Sequence, residues 1–302
     1  MNNRFIRNVK SNFWLYLLVL PGLLYFLTFK YLPMWGLTLA FKDFQPFVGF
    51  FGSPWVGFEH FERLFSNNDF WMLFRNTLLI SLYKLVFFFP FPIIIALMLN
   101  EVRRQVFKRA IQSIIYIPHF LSWVVIVGIT YVLFTTEGGL VNELIAQTGN
   151  EKINFLGNPD WIRTMLTSQT IWRETGWGTI LYLAAMSNID PQLYEAAKID
   201  GAGRFRQMWH VTIPCIRSTI VVLFILQLGN FMDLGFDQVY NMLNPANREN
   251  ADVFDTYVYV TGITQGQFSY STAVGMFKSL VGLILVVVAN YTTKRLGEEG
   301  IF

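Results

Sequence analysis

Three polar side chains recur at every third position within one long apolar stretch of the chain. They are Gln227, Asn230 and Asp233. On a helix these positions lie along one side and drift by about 60° per step. Polar groups in so apolar a stretch need contact with protein or water. The pattern therefore predicts either a binding face for a polar ligand or hydrogen bonds between neighbouring helices.

Further candidate contact residues lie in two other apolar stretches. The aromatic candidates are Trp172, Trp177 and Tyr182, and the basic candidate is Lys278, which precedes Ser279. The alternative role for each of them is helix packing. In that interpretation Lys278 pairs with Asp233 or Glu174. The same two carboxylates are available to Arg173.

The residue types that commonly carry out catalysis or bind metals have no productive spacing. The histidines His60, His119 and His210 show no HExxH or comparable metal-binding spacing. The one cysteine, Cys215, excludes an intramolecular disulfide and a thiolate metal cluster. No GxxxxGK[ST] phosphate loop is present, so the chain lacks the usual backbone device that cradles ATP. We expect no catalytic residue, no metal site and no cofactor bound by this chain.

The composition indicates a membrane protein. Of the 302 residues, 53% are hydrophobic and 14% are charged, and the mean hydropathy is +0.40. In soluble domains about a quarter of the residues are charged. A net charge of +3 is too small to indicate nucleic acid as a partner.

Six apolar blocks come close to or exceed the roughly 20 residues that cross a bilayer as a helix. They cover about 13–39, 71–99, 111–134, 167–186, 213–234 and 271–291. The fourth is the least certain span, because it contains Arg173 and Glu174. No repeat, low-complexity tract or linker is visible. We therefore predict one all-α integral membrane domain over residues 1–302 with six transmembrane helices.

Basic residues are distributed unequally between the loops, and this bias predicts the orientation. With the N-terminus inside, the cytoplasmic segments contain Arg4, Arg7, Lys10, Arg103, Arg104, Lys108, Arg109, Lys198, Arg204, Arg206, Lys294 and Arg295. The outer loops contain only Lys42, Arg63, Lys152, Arg163 and Arg248. Both termini and the loop at 188–212 are therefore predicted to be cytoplasmic.

The loop before the fifth span divides into two predicted helices. The first covers Gln192 to Ile199 and is followed by a turn in which Gly201 and Gly203 allow positive φ. The second covers Phe205 to Thr212, and Pro214 can open the next helix. Two short helices joined by glycines predict a compact element that docks on another protein.

The spacing within this loop resembles the EAA motif of ABC-importer permease subunits. The matching positions are Glu195-Ala196-Ala197, Gly201 after three further residues, and Val211-x-Ile213-Pro214. Val211 and Ile213 stand where the family has Ile and Leu. The resemblance implies a coupling helix that transmits the motion of a partner ATPase, with Glu195, Ala196, Ala197, Asp200, Gly201 and Gly203 as coupling residues. Glu195 is also placed to pair with a basic group or to cap the turn.

The likeness covers nearly the whole chain and points to the LplB-like branch of maltose-type permeases. It rests on Leu20-Pro21-Gly22, Trp172-Arg173-x-x-Gly176-Trp177, Gly229-Asn230, Gln267 to Lys278 and Arg295 to Phe302, among other segments. The resemblance implies the type I ABC-importer permease fold and oligosaccharide import by alternating access in a bacterial plasma (inner) membrane. The implied sugar contacts are Trp172, Trp177, Tyr182, Gln227, Asn230, Asp233 and Lys278.

The family also implies a set of partners. These are a second homologous permease subunit in a heterodimer, two cytoplasmic ATPase subunits that bind ATP and Mg, an extracytoplasmic solute-binding protein, and the sugar. Since this chain lacks a phosphate loop, the energy for transport is expected to come from the ATPase partners.

Two other classes of function stay open at this point. An ion-coupled secondary transporter would favour an inverted repeat and an ionisable relay, and neither is apparent. A membrane-embedded sugar or lipid transferase would use Asp252 and Asp255, whose spacing of three permits one helix face. The sugar can be neutral or acidic. A uronic acid is permitted if the cations Lys84, Arg173 and Lys278 are not paired within the protein.

Overall fold

Helices make up nearly all of the regular structure, as the apolar composition predicts. The computed structural model describes residues 11–295, and in that range the one β feature is an isolated bridge between Lys42 and Trp55. This confirms the predicted all-α class. Two sets of residues used in the sequence analysis lie outside this range. They are the basic residues Arg4, Arg7 and Lys10, and positions 296–302 of the C-terminal segment that resembles the family.

Fifteen helices follow one another along the described chain, with continuous helical turns joined into one helix. They are α1 Phe13–Phe41, α2 Gly49–Gly52, α3 Glu59–Ser66, α4 Asp69–Asn100, α5 Gln105–Phe120, α6 Trp123–Phe134, α7 Leu140–Gln147, α8 Pro159–Ser187, α9 Pro191–Ile199, α10 Arg204–Cys215, α11 Arg217–Gly229, α12 Phe236–Met242, α13 Arg248–Ala251, α14 Phe254–Tyr259 and α15 Phe268–Arg295. A π-helical turn, Val260–Thr264, continues α14.

Three helices in the described range are long and apolar enough to cross a membrane without interruption: α1, α4 and α15. They cover the predicted first, second and sixth spans. Two pairs, α5 with α6 and α10 with α11, reach the same length and hydropathy only when each bent pair counts as one span. The remaining predicted span lies within α8, which has 29 residues but carries Arg173 and Glu174. The number of six spans therefore stays a prediction.

The predicted third span is not one straight helix, because it breaks between α5 and α6 and the two parts are bent by 102°. Leu121 and Ser122 leave the helical conformation, and the Ser122 side chain accepts a hydrogen bond from the backbone N–H of Val125 at 3.4 Å. Ser122 is thus an N-cap, and it starts a new helix inside an apolar run. Hydropathy alone does not show such a break.

The predicted fifth span differs from the structure at both ends. Pro214 does not open a helix; it lies inside α10, directly after a π-helical turn at Met208–Thr212. The chain bends by 63° between α10 and α11, as expected where a proline removes a backbone donor. At the other end the helix stops at Gly229. The segment 230–235, which we call the break segment, is not helical.

Three clusters of buried apolar side chains hold the helices together. One lies between α4, α6, α8 and α12, with Ile80, Leu166 and Val239 among its members. The second joins α3 and α4 to α14 and α15, and the third joins the ends of α4 and α8 to α11. The helix α4 takes part in all three clusters and α8 in two of them, so these two helices are the central elements of the described fold.

Close backbone contact fixes α8 against α5. A Cβ at Gly176 would overlap the backbone carbonyl of Ile115, so only glycine fits at this crossing. Small residues at helix crossings allow such an approach in membrane proteins. Gly176 therefore determines how near α5 can come to the centre of the fold.

Candidate functional site

The first helix of the loop at 188–212, α9, has a well-formed start and end. Asp190 caps its N-terminus by accepting a hydrogen bond from the backbone N–H of Gln192 at 2.9 Å. At its C-terminus Gly201 has φ +76°, and its N–H donates to the carbonyl of Lys198 at 3.0 Å. The N–H of Ala202 donates to the carbonyl of Ala197 at 2.8 Å. These two bonds form a Schellman motif, which needs a residue that tolerates the left-handed region.

The prediction of positive φ is confirmed for Gly201 and wrong for Gly203. Gly203 has φ −68° and ψ 170°, an extended conformation open to any residue, and it precedes α10 as the N-cap. Nothing lies within 4 Å of a Cβ built at that position. The two glycines of the motif thus differ in their structural need for glycine.

Two hydrogen bonds fix α9 against α10. The Tyr194 hydroxyl and the Thr212 hydroxyl are 3.0 Å apart, and the Gln207 amide donates to the carbonyl of Ala202 at 2.7 Å. The second predicted helix begins at Arg204 and extends to Cys215, further than expected. The loop is therefore a rigid hairpin whose second helix leads into α11.

The predicted coupling residues lie on the surface of this hairpin. Glu195, Ala196, Asp200, Gly201 and Gly203 are exposed, and Ala197 is half-buried. Within residues 11–295 the Glu195 carboxylate makes no ion pair and no cap, so both contacts predicted for it are absent. A carboxylate on the surface is available to another protein.

Large apolar side chains are also exposed on the hairpin. Ile199 and Phe205 are 87% and 86% exposed, and Trp209 is 68% exposed. We call these three side chains the docking face. Exposed apolar groups of this size usually mark a surface that another protein covers.

A polar pocket lies between the C-terminal end of α11 and the middle of α15. Its volume is about 390 Å³, and its walls include Asn230, Asp233, Lys278 and Ser279. It joins three of the seven predicted sugar-contact residues. Asn230 and Asp233 reach it from the break segment and not from one side of a helix, so the predicted helical arrangement with Gln227 is wrong. Gln227 lies on α11, half-buried.

Lys278 has an internal partner that differs from the predicted ones. Its ammonium group donates to the carboxylate of Asp255, and the predicted partners were Asp233 and Glu174. The neighbouring Asp252 is buried, and it accepts from Arg248 at 3.0 Å and from the Thr256 hydroxyl at 2.6 Å. Since each acid already has its own partner, Asp252 and Asp255 do not form the open acidic pair that a transferase would need.

The predicted aromatic contacts lie in three different places. Trp172 lines a separate, mainly apolar pocket of about 490 Å³ between α6 and α8, together with Ser168. Trp177 stacks on His119, with ring centroids 4.5 Å apart. Tyr182 is 3% exposed and belongs to the apolar core. Among the described residues, no one pocket collects these rings.

The break between α5 and α6 is fixed by a charged cluster on α8. Arg173 pairs with Glu174 and donates from Nε to the carbonyl of Leu121 at 3.1 Å. His119 Nδ1 lies 2.9 Å from the Glu174 carboxylate. The alternative of internal pairing is thus confirmed for Arg173. The role of His119 was not predicted, because its partner is 55 positions away in the sequence.

No arrangement for metal binding accompanies these sites. In the part of the chain that the structure describes, no group of three His, Cys, Asp or Glu side chains is placed to hold a metal ion. The polar pocket offers hydrogen-bonding and charged groups, and the hairpin of α9 and α10 offers an exposed surface with both apolar and acidic side chains.

Comparison with known proteins places these features in a family. Residues 89–298 match the family model described as "Binding-protein-dependent transport system inner membrane component". The chain is 58% identical over 294 residues to "Protein LplB" of Bacillus subtilis. This match covers 97% of this chain and 92% of that protein. It is 60% identical over 289 residues to the "Polygalacturonan/rhamnogalacturonan transport system permease protein YteP" of the same organism, which covers 96% and 90%.

A solved structure shares both the fold and much of the sequence. It is described as "Crystal structure of bacterial alginate ABC transporter in complex with alginate pentasaccharide-bound periplasmic protein". The match has a TM-score of 0.91 and 37% identity, and covers 99% of this chain and 100% of the other. The predicted family resemblance and permease fold are confirmed.

Proposed function

Because the chain belongs to the family of binding-protein-dependent transport system inner membrane components, we propose that it is one permease subunit of an ATP-driven importer of oligosaccharides. The observation that carries the proposal is the likeness over nearly the whole chain to a polygalacturonan/rhamnogalacturonan permease and to an alginate transporter. The chain is a multi-pass membrane protein with the type I importer permease fold. Neither a secondary transporter nor a transferase is favoured by these relatives.

The cytoplasmic hairpin is the proposed site of energy input. Two partner ATPase subunits bind ATP and Mg, and one of them covers the docking face of Ile199, Phe205 and Trp209. Glu195 and Asp200 supply negative charge next to that apolar surface. Movement of the ATPase pair then passes along α10 into α11, since the two helices are consecutive and the hairpin is rigid.

The polar pocket is the proposed sugar contact of this subunit. Asn230 and Asp233 lie at the end of α11, so a movement that enters through α10 reaches them directly. A second, homologous permease subunit completes the cavity, and an extracytoplasmic binding protein delivers the sugar. Alternating access follows when the movement of α11 opens the cavity to one side at a time. Both termini lie on the cytoplasmic side in this arrangement.

The test is transport by the complete importer in vesicles. The vesicles contain the permease pair with its ATPases, and the binding protein is added. Uptake is measured with oligogalacturonate, oligoalginate and a neutral oligosaccharide of the same length. We expect ATP-dependent uptake of at least one of them and sugar-stimulated ATP hydrolysis. Uptake driven by an ion gradient without ATP, or no uptake of any oligosaccharide, would contradict the proposal.

The proposed docking face has a sharper test of its own. Replacing Phe205 and Ile199 with Ser should separate the ATPases from the permease pair, because large apolar anchors dominate interface energies. The matched control replaces Phe47, another fully exposed aromatic side chain, which lies in the loop after α1. Size-exclusion chromatography of the purified complex should show loss of ATPases only for the hairpin variant. Retention of the ATPases by that variant would contradict the docking face.

A further inference from the structure

The break segment leaves backbone carbonyls without helical partners inside an apolar region. Two side chains from α4 bond to them. The Ser81 hydroxyl donates to the carbonyl of Phe231, and Lys84 Nζ donates to the carbonyl of Leu234 at 2.7 Å. Ser81 and Lys84 are three residues apart, so they lie on the same face of α4. Unpaired carbonyls in an apolar environment are costly, so these two bonds stabilise the break.

Lys84 is a buried cation with neutral partners. Its residue is 8% exposed, and its ammonium group also donates to the Gln238 amide oxygen at 2.9 Å. The two other cations that the sequence singled out for an acidic sugar, Arg173 and Lys278, each pair with a carboxylate. Within residues 11–295, no carboxylate oxygen comes within ion-pair distance of Lys84. The charges of Asp233 and Glu174 act on it only from beyond that distance. A buried charge without a direct ion pair is costly, and such a charge in a membrane protein usually serves a function.

The partner of Lys84 is itself fixed in place. The Gln238 amide nitrogen donates to the carbonyl of Leu166 at 2.7 Å and to the Gln169 amide oxygen at 3.0 Å. Both acceptors belong to the central helix α8. The ammonium group therefore connects the break segment to α4 on one side and, through Gln238, to α8 on the other.

Interrupted helices in other transporters often bind a free cation through the carbonyls of the unwound stretch. Here a side-chain ammonium occupies the equivalent position. We propose that Lys84 is a positioning residue whose ammonium group acts as a built-in cation and holds the break segment in the form that presents Asn230 and Asp233 to the polar pocket. The proposal rests on the proposed transport function, because the pocket is the sugar contact in that scheme.

The first experiment replaces Lys84 with Met in the complete reconstituted importer. Met retains the length and apolar volume of the side chain but not the charge or the donors. We expect a complex of normal composition whose oligosaccharide uptake falls about tenfold, the factor associated with losing one strong hydrogen bond at an organised site. The control Lys294→Met removes an exposed lysine in the last turn of α15. It should leave uptake unchanged.

The second experiment asks whether the charge itself is needed. Lys84→Ala removes three carbons and the nitrogen, and these four atoms correspond to propylammonium. We expect added propylammonium to restore uptake several-fold and saturably in the Ala variant, and to have no effect on the Met variant. A packing role alone predicts the reverse order, with Met nearly normal and no response of Ala to the amine.

The outcomes separate the proposals. The proposed role of Lys84 is contradicted if wild-type vesicles import sugar and the uptake rate of Lys84→Met vesicles is within twofold of the wild-type rate. It is also contradicted if the Lys84→Ala variant assembles but its uptake does not respond to propylammonium. If neither variant assembles, Ser81→Ala provides the test, because it removes the neighbouring bond to the break segment. Uptake at the wild-type rate by Ser81→Ala overturns the proposal, and reduced uptake supports it. The proposed function fails separately, when wild-type vesicles import no oligosaccharide.

Discussion

Single residues in the hairpin of α9 and α10 have unequal structural roles although they belong to one motif. Gly201 adopts the left-handed conformation and ends α9 with two backbone hydrogen bonds. Gly203 is extended and has open space around its Cα. If the motif served only sequence recognition, both glycines would be equally sensitive to substitution. If it serves the shape of the hairpin, they differ.

We predict that Gly201→Ala weakens coupling and Gly203→Ala does not. A side chain in the left-handed region costs about 1 kcal/mol, and in this position it distorts the turn that orients α9 against α10. The measurement is sugar-stimulated ATP hydrolysis and uptake by the reconstituted complex. We expect a several-fold loss of both for Gly201→Ala and values close to wild type for the control Gly203→Ala. Equal losses in the two variants would show that backbone conformation is not the cause.

Residue patterns predicted some of the side chains that come together better than they predicted how those side chains are arranged. A glycine after a helix with apolar positions is a strong local signal, and Gly201 was predicted correctly for that reason. Asn230 and Asp233 do meet Lys278 in one pocket, but through a break in the helix that the regular spacing of three does not reveal. Asp255, the partner of Lys278, is 23 residues away along the chain. Nothing in local sequence identifies such a pair.

At the scale of elements, the breaks in the apolar blocks were the features that hydropathy missed. The sum of apolar residues across 111–134 is the same whether the helix is straight or bent at Ser122. The bend requires tertiary contacts, here the bond from Arg173 to the carbonyl of Leu121 and the ion pair of Arg173 with Glu174. The same charges make α8 look like a poor span in sequence. In the structure these charges stabilise the broken helix beside it.

The crossing of α5 and α8 gives a prediction at this scale. Gly176→Ala should lower the stability of the complex by about 3 kcal/mol, because the added methyl group overlaps the backbone of Ile115 and forces the helices apart. The control is Gly128→Ala in α6, where nothing lies within 4 Å of the added atom. Alanine has the higher helix propensity, so this variant should be as stable as wild type or slightly more so.

Thermal unfolding of the detergent-solubilised complex measures both variants. We expect a clear fall in the melting temperature for Gly176→Ala and no fall for Gly128→Ala. Uptake should decrease with Gly176→Ala as well, since α8 fixes Gln238, which bonds to Lys84 and so connects α8 to the break segment. If Gly176→Ala melts like wild type, the two helices can separate at little cost and the crossing does not determine the fold.

At the scale of the whole molecule, the orientation in the membrane connects the two proposed sites. In the proposed function the hairpin faces the ATPases, and the loop that contains α7 faces the binding protein. The bias of basic residues predicts this arrangement, and it uses Arg4, Arg7 and Lys10 together with the loops between the spans. Charge bias is a property of the sequence alone, so orientation can be predicted before any contact is known.

Cysteine labelling tests the orientation, because the chain has one native cysteine, Cys215. In a Cys215→Ser background, Asn150→Cys places a thiol at an exposed position after α7, and Gln192→Cys places one at an exposed position on α9. A membrane-impermeant maleimide added to intact spheroplasts should label the first variant and not the second. After permeabilisation both should be labelled. Labelling of Gln192→Cys from outside would place the hairpin on the side without ATP, and the transport scheme that joins Ile199 and Phe205 to an ATPase would then have no energy source.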